Sequence, residues 1–386
     1  MSSSKTFISQ RALFLILLIS VFSVAKSQDT QTSPKKISFL FIGDIMGHDE
    51  QIWSAENRET HTFNYDDVFK YIKPVIGQAD IAIANFEVTL AGQPYMGYPQ
   101  FSSPADLASA CKNAGIDYLV TANNHAADRG KKGIISTITK LDSIGIPHTG
   151  TFLNAAARDT LSPLMIHRDG TSVALINYTF STNGLPVPEP VIVNMLDKAS
   201  ITRDVEKAKN KKADIIILFL HWGTEYDTIP SREQTDMARY FRSIGVDLVI
   251  GSHPHVIQKM VMAVDSTSKE NKLVVYSLGN FISNQRKPKT DGGSIVRVEL
   301  TKDSDKYVVT NAGYYLTWVY TPIINYRKKF YILPCSEFES NPEFFDKPEA
   351  FSLLRKFVTD SRKLLNEQNV NVKEFIFNGE EWVLKN

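Results

Sequence analysis

Apolar residues in this chain gather in short unbroken runs, and several of those runs stop at a polar residue of metal-ligand type. Residues 36–43 read KISFLFIG and stop at Asp44. Residues 80–84 read DIAIA and lead into Asn85, Phe86 and Glu87. The run over 116–121 ends in Ala122, Asn123, Asn124 and His125, and 213–220 (ADIIILFL) ends in His221, Trp222 and Gly223. Residues 246–258 read VDLVIGSHPHVIQ and pass through Gly251 and Ser252 into His253, Pro254 and His255. Runs without polar alternation are the signature of strands buried on both faces.

Helical spacing separates these runs. It predicts helices over 65–78 (Val68, Tyr71, Ile72, Val75 and Ile76 on one side), 104–113, 131–143, 201–211, 232–243 and 351–368. Gly115 and Gly145 stand where the second and third of these end. Asp169-Gly170 between β-rich runs predicts a hairpin within 161–180. Residues 273–282 and 294–300 read as strands, with further β structure over 307–320 and a short strand near Trp382. Residues 92–103 and 182–190 read as loops. Strands alternating with helices predict an α/β fold whose ligands collect beyond the strand C-termini. One echo sharpens this: AGIDYLVTANN (114–124) and IGVDLVIGSH (244–253) share the order helix stop, Gly, Asp, buried strand, polar ligands. It points to two βαβ halves whose loops meet in one cleft.

With 386 residues, 43% of them hydrophobic and 22% charged, the chain has room for one large domain or two smaller ones. A net charge of +1 creates no field for nucleic acid, and no dense Lys/Arg run predicts a nucleic-acid partner. Lys5, Arg11, the apolar stretch over 12–25 and the small residues Ala25 and Ser27 read as a secretory signal peptide cut before Gln28. The alternative is an uncleaved N-terminal anchor. Residues 28–36 form a polar linker. Cys111 and Cys335 could pair in an oxidising compartment, although Cys111 falls on the core side of a helix.

Asp44, Glu87, Asn124, His221, His253 and His255 form a mixed carboxylate, amide and imidazole set. Such a set suits Zn, Mn or Fe better than Ca or Mg. A carboxylate between imidazole groups is a natural bridge for two ions, and a pair about 3.5–4 Å apart clamps a phosphate ester and activates water. His125 is placed to protonate a leaving group. Taken singly, Asp44 could cap a turn, Asn124 hold a loop and His221 sit satisfied in the core.

The ordered motifs GDIMG (43–47), NFE (85–87), ANNHAADRG (122–130), HWGTEY (221–226), GSHPHVIQ (251–258) and YSLGNFI (276–282) resemble the CapA family of poly-γ-glutamate capsule biosynthesis proteins. That family is related to the calcineurin-like metallophosphoesterases. The resemblance implies a four-layer α/β fold, a metallophosphoesterase-like β-sandwich flanked by helices, over residues 37–300. Residues 301–386 would complete or cap it. Asp44 matches the first metal-binding Asp, Glu87 the bridging Asp, Asn124 and His125 the Asn-His pair, and His221, His253 and His255 the three later histidines. Met46 stands where the superfamily has a His, and Glu87 is longer than the usual Asp. His48 is a substitute in sequence, with a surface position as its plainer reading.

The resemblance implies one or two divalent ions. His221, His253, Asn124 and Glu87 would hold one, and Asp44 and His255 a second. Asp44 and His125 are the catalytic candidates. Asn85, Asn123, Arg129, Trp222, Glu225 and Tyr226 are the substrate-side candidates. The implied function is a metal-dependent hydrolase, exported to the periplasm, cell surface or medium. Its partners would be an anionic polymer or a phosphorylated small substrate, and other capsule-synthesis proteins. The alternatives are a non-catalytic polymer-binding or export component and a γ-glutamyl amide hydrolase or transferase.

Overall fold

Strand β1 (Lys36–Ile45) explains why the apolar runs lack alternation. Ile37, Phe39 and Phe41 join one buried cluster and Leu40 and Ile42 another, so both faces are covered. This computed structural model describes residues 34–385, and the expected signal segment lies outside the described residues. From β1 the chain lays down β2 (Ile81–Phe86), β3 (Tyr118–Val120) and β4 (His148–Thr149) in parallel. It then starts a second sheet with the hairpin β5 (Leu164–Arg168) and β6 (Thr171–Thr179), turned at Asp169-Gly170 as the sequence predicts. Asp169 and Gly170 both have positive φ (48° and 68°), the turn geometry that matches strand twist. Next come β7 (Ile215–His221), β8 (Leu248–Ser252), β9 (Met260–Val264) and β10 (Asn271–Val275).

The chain then returns to the first sheet. It adds β11 (Asn280–Ile282), β12 (Gly292–Asp303), β13 (Lys306–Tyr320), β14 (Tyr331–Pro334), β15 (Lys373–Phe377) and β16 (Trp382–Leu384). The first sheet runs β16-β15-β13-β12-β1-β2-β3-β4, with β11 beside β1 and β14 beside β13. The second runs β9-β10-β8-β7-β6-β5. Strands from residues 301–386 are thus woven into the first sheet.

The two sheets face each other across one core. Phe39, Phe41, Ile81 and Ile83 from the first meet Leu175, Ile217, Phe219, Leu248 and Leu273 from the second. Helices cover both outer faces. Leu107 and Cys111 of helix Asp106–Ala114 and Leu141 of helix Gly130–Ile144 pack on the first sheet. Ile201 and Val205 of helix Lys198–Asn210 and Phe241 of helix Arg232–Ser243 pack on the second. The result is the four-layer α/β arrangement. Among the described residues, no helix is long and apolar enough to cross a membrane.

The echo between the two halves has a structural basis. Asp117, just before β3, accepts a hydrogen bond from Ala82 N of β2 (2.8 Å), and Asp247, before β8, accepts one from Ile216 N of β7 (2.9 Å). Asp80 does the same to Ser38 N and Asp214 to Ser172 N, both at 2.8 Å. Each aspartate ties the N-terminal end of a parallel strand to its neighbour, at the end away from the candidate ligands.

Two sequence expectations need correcting, and one open question is settled. The helix predicted over 65–78 is two short helices, Asp66–Phe69 and Lys73–Ile76. Pro74 has no N–H to continue the ladder, so the helix restarts with proline in its first turn. The strand predicted over 273–282 is two strands in different sheets, β10 and β11. Residues 276–279 between them cross from one sheet to the other. The cysteines do not pair: both thiols are buried and free, and they belong to different core clusters.

Two predictions follow from this packing. Asp117→Ala removes a clasp and is expected to cost about 1–3 kcal/mol. Asp247→Ala costs more, about 3–5 kcal/mol, because it strands the buried Lys272 ammonium now 3.0 Å from that carboxylate. Denaturant midpoints of the two variants check the order. Burial pushes both thiols up from their ordinary range. A thiol reagent at mildly alkaline pH is therefore expected to label neither cysteine in the native protein and both after unfolding.

Candidate metal centre

The C-terminal ends of β1, β2, β3, β7 and β8 converge, as a strand-end site requires. Two glycines permit the close approach. A Cβ on Gly43 would lie 2.1 Å from Gly279 O, and one on Gly251 would lie 2.0 Å from Tyr276 O. Both positions face the crossing segment, which binds both halves. Leu278 N donates to Gly251 O (3.0 Å), and Asp44 N donates to Gly279 O (3.1 Å).

Asp44 and Glu87 lie side by side and are fully buried. Asn85 sits between them, its Nδ2 donating to Asp44 Oδ1 (2.8 Å) and reaching Glu87 Oε2 at 3.3 Å. Their other oxygens, Asp44 Oδ2 and Glu87 Oε1, are buried without a hydrogen-bond partner. Imidazole nitrogens surround these two atoms. His255 Nδ1 is 3.2 Å from Asp44 Oδ2. His221 Nε2 and His255 Nε2 stand 3.7 and 3.8 Å from Glu87 Oε1. His253 Nδ1 and Asn124 Oδ1 close on His221 Nε2 at 3.2 and 2.8 Å. Asp44, Glu87 and His221 alone bring ligand atoms within 4.8 Å of one another.

The surroundings orient these groups. Ser252 Oγ lies 3.0 Å from His221 Nδ1, so a proton held there leaves Nε2 as a lone-pair donor. Asn124 Nδ2 donates to Asn183 Oδ1 (3.2 Å), which turns Asn124 Oδ1 toward His221. Asn280 Nδ2 donates to Thr290 O (2.8 Å) and Gln285 Oε1 (3.1 Å), which turns its Oδ1 toward His255 Nδ1 at 3.0 Å. His253 and His255 both hold positive φ (100° and 58°), a strained backbone for residues with a Cβ. Burial lowers the His221 imidazole well below its usual range and pulls His253 down to about 3, helped in each case by neighbouring imidazoles. Burial, with Asp44 beside it, raises the Glu87 carboxyl well above its usual range. Imidazole nitrogens facing unspent carboxylate oxygens fit a divalent cation, and Glu87 lies between the His221 and Asp44 sides.

A cavity of about 670 Å³ borders this cluster at His255. Met46, His48, Tyr98, His125, Glu225, Tyr226 and His255 are among its walls. His125 Nδ1 pairs with Asp128 Oδ2 at 2.8 Å, and Phe101 N also donates to that oxygen (2.7 Å). His125 therefore has Nε2 left for chemistry.

The structure thus gathers Asp44, Glu87, Asn124, His221, His253 and His255 into one cluster, with His125 in the wall of the cavity above. The substrate-side candidates divide. Glu225 and Tyr226 line the cavity, whereas Asn85, Asn123, Arg129 and Trp222 do not. Asn85 is consumed by the carboxylates. Asn123 holds its loop, donating to Phe86 O (2.8 Å) and accepting from His125 N (3.1 Å). Arg129 reaches back to Pro94 O at 3.4 Å. Trp222 packs in the outer core with its Nε1 on Tyr276 O, because its strand turns it away from the ligand face. His48 is not a plain surface residue. It is half-buried, lines the cavity, and burial lowers its imidazole to about 4.

Sequence reasoning missed Asp128, Ser252 and Asn280 as site residues. Asp128 had a local signal, three positions after His125 in one motif. Asn280 lies within a quoted motif, but only the fold shows that its amide reaches His255.

Two outcomes are expected of the metal-free protein. The unfolded chain takes up histidine protons below about pH 6.5, whereas the depressed folded histidines stay neutral. Stability supplied by His221, His253 and His48 is therefore present above about pH 6.5 and lost as pH falls toward their folded values, which melting curves across that window check. The depressed His221 and His253 imidazoles bring no proton to release on metal loading, whereas burial and Asp44 favour a proton on Glu87. Calorimetric zinc titrations at mildly acid pH, in two buffers of different ionisation enthalpy, are expected to show release of about one proton.

Comparison with known proteins accords with this geometry. The family model for the bacterial capsule synthesis protein PGA_cap matches residues 38–285. The chain is 27% identical over 277 residues to the capsule biosynthesis protein CapA of Bacillus anthracis, covering 69% of this chain and 64% of that protein. It therefore spans less than two thirds of that relative's length. It is 26% identical over 285 residues to the PGA biosynthesis protein CapA of Bacillus subtilis (strain 168), covering 69% and 68%. Among solved structures, the calcineurin-like phosphoesterase YfkN from Bacillus subtilis overlaps with a TM-score of 0.46 at 13% identity, over 86% of this chain and 98% of that one. The family match takes in the cluster from Asp44 to Asn280, and this chain belongs to the bacterial capsule synthesis family PGA_cap.

Proposed function

We propose that this protein is an exported, metal-dependent hydrolase of capsular polymer biosynthesis. One observation carries the reading: two buried carboxylate oxygens without hydrogen-bond partners face imidazole nitrogens, and one of those imidazoles, His255, lines a cavity whose wall also holds a His-Asp pair. Glu87, His221, His253 and Asn124 would hold the better-enclosed cation, and Asp44 and His255 a second beside it. When bound, the cation supplies Lewis acidity and a water of lowered pKa. Ser252 and Asn280 keep the ligand imidazoles in the required orientation. Asp128 holds the His125 Nδ1 proton in place, so Nε2 can pass a proton to the leaving group. His48 narrows the wall beside Phe101, which packs edge-on against both His48 and His125.

One observation favours a second reading, polymer binding without turnover. Met46 puts a thioether in the cavity wall where the resembled superfamily carries an imidazole, which weakens the Asp44 side of the site.

Elemental analysis of the reconstituted protein beside His253→Ala, with a hydrolysis panel of a phosphodiester and a γ-glutamyl peptide, decides between them. The hydrolase reading expects bound transition metal that His253→Ala loses. It also expects a His125→Ala variant that keeps its metal but turns over about 10²–10⁴-fold more slowly. Absence of metal after reconstitution with Zn or Mn would leave docking as the function. Export is tested by the N-terminus of the mature protein from the cell envelope, expected at Gln28.

A further inference from the structure

A second, smaller cavity lies between helix Pro348–Gln368 and the segment over residues 284–291. Gln285 of that segment lines the cavity beside the metal cluster, whereas Arg286, Pro288, Lys289 and Asp291 line this one. Its volume is about 70 Å³. A water takes about 30 Å³ of liquid, so there is room for a molecule of a few heavy atoms. Asp291 and Phe357 are buried at its base, 6% and 3% exposed, and Pro288 and Leu353 stand exposed at its rim. Two opposite charges in its wall are unspent. Arg286 Nη1 and Asp291 Oδ1 are each buried without a hydrogen-bond partner. Trp318 holds both side chains in place. Its Nε1 donates to Asp291 Oδ2 (2.7 Å), and the Arg286 guanidinium lies 5.5 Å from its ring centroid. Burial raises the Asp291 carboxyl and lowers the Arg286 guanidinium, as expected of charges without a contacting counter-ion. At the rim, Lys356 is already paired with Asp360 at 2.9 Å.

A buried donor and a buried acceptor left unpaired each cost free energy, and each calls for an explanation. A simple ion relieves only one of them. An anion on Arg286 meets the Asp291 carboxylate, and a cation on Asp291 meets Arg286 and Lys289. A small molecule that carries both charges relieves both. We infer that this cavity binds the zwitterionic head group of a free α-amino acid, with its carboxylate on Arg286 and its ammonium on Asp291. The volume fits a head group and little more. Phe357 at the base packs on the Cα side, and a short side chain leaves toward solvent past Leu353 and Pro288. The planar guanidinium suits a carboxylate better than an ammonium donor would. None of these residues belongs to the metal cluster, so the site does not depend on the hydrolase reading.

The test is binding, read by calorimetry on the full chain at neutral pH. Three probes share one carbon skeleton: L-alanine, L-lactate and L-alaninamide. They carry both charges, the negative one alone and the positive one alone. Inorganic phosphate is a fourth probe. Alanine is expected to bind in the millimolar range or tighter, and about tenfold more tightly than lactate or alaninamide. Arg286→Gln should bring alanine down to the alaninamide level, and Asp291→Asn should bring it down to the lactate level. Leu353→Trp, at the exposed rim, should weaken alanine binding by closing the entrance. Arg286→Gln removes a guanidinium whose Nη1 has no protein acceptor, so it should not lower the melting temperature. It therefore decides the matter where Asp291→Asn does not fold, and it separates this site from any binding of alanine at the metal cluster. Equal alanine binding in the parent chain and Arg286→Gln overturns the inference. So does tighter binding of lactate or phosphate than of alanine. No millimolar binding of alanine also overturns it, because solvent alone then satisfies the two atoms.

Discussion

Two carboxylates buried side by side with lone pairs unspent are the constraint around which this molecule is arranged. Burying Asp44 and Glu87 is unfavourable, and among the described residues only histidines, no lysine or arginine, pair with them. The chain limits the cost in three ways. Asn85 donates to one oxygen of each carboxylate. Burial and the adjacent Asp44 raise the Glu87 carboxyl well above the ordinary range, which favours its uncharged form. Imidazole nitrogens of His221 and His255 line the remaining oxygens, and burial lowers that of His221. A cation resolves all of this at once, which is why the cluster reads as a centre for one and not as a core defect.

Such a cluster needs walls that do not yield, and they come from both halves of the chain. The aspartate clasps at Asp80, Asp117, Asp214 and Asp247 fix the N-terminal ends of four parallel strands. The crossing segment, residues 276–279, fixes the opposite ends by hydrogen bonds to Gly251 and Asp44. Stability and chemistry are thereby divided between the two ends of the same strands. The strained backbone at His253 and His255 is held between these supports, with Tyr226 N donating to Pro254 O (2.8 Å).

The cavity beside the cluster is lined mainly by histidine, tyrosine and amide side chains, with Asp128 and Glu225 as its carboxylates. A metal centre that would favour an oxygen donor sits beside walls that offer hydrogen bonds, aromatic rings and carboxylates. Fold likeness does not determine what such walls recognise.

Much of this was legible in the sequence because it is local. Apolar runs covered on both faces marked β1, β2, β7 and β8. Gly115 and Gly145 marked helix ends with left-handed geometry. Polar residues at strand ends marked the ligands, since a parallel strand sends its terminal side chains to one edge of the sheet. Periodicity could not show that 273–282 serves two sheets, because a continuous apolar run looks the same whichever sheet it joins. Nor could it separate Glu225 and Tyr226, which line the cavity, from Trp222 nearby, which is core. The sequence by itself determined which residues of metal-ligand type stand at the strand ends. The tertiary structure alone decided which atoms of Asp44 and Glu87 are left unpaired, which amides orient the imidazoles, and which charges face the cavity. Those depend on distances between residues far apart in the chain, and such distances exist only once the two sheets have closed on each other.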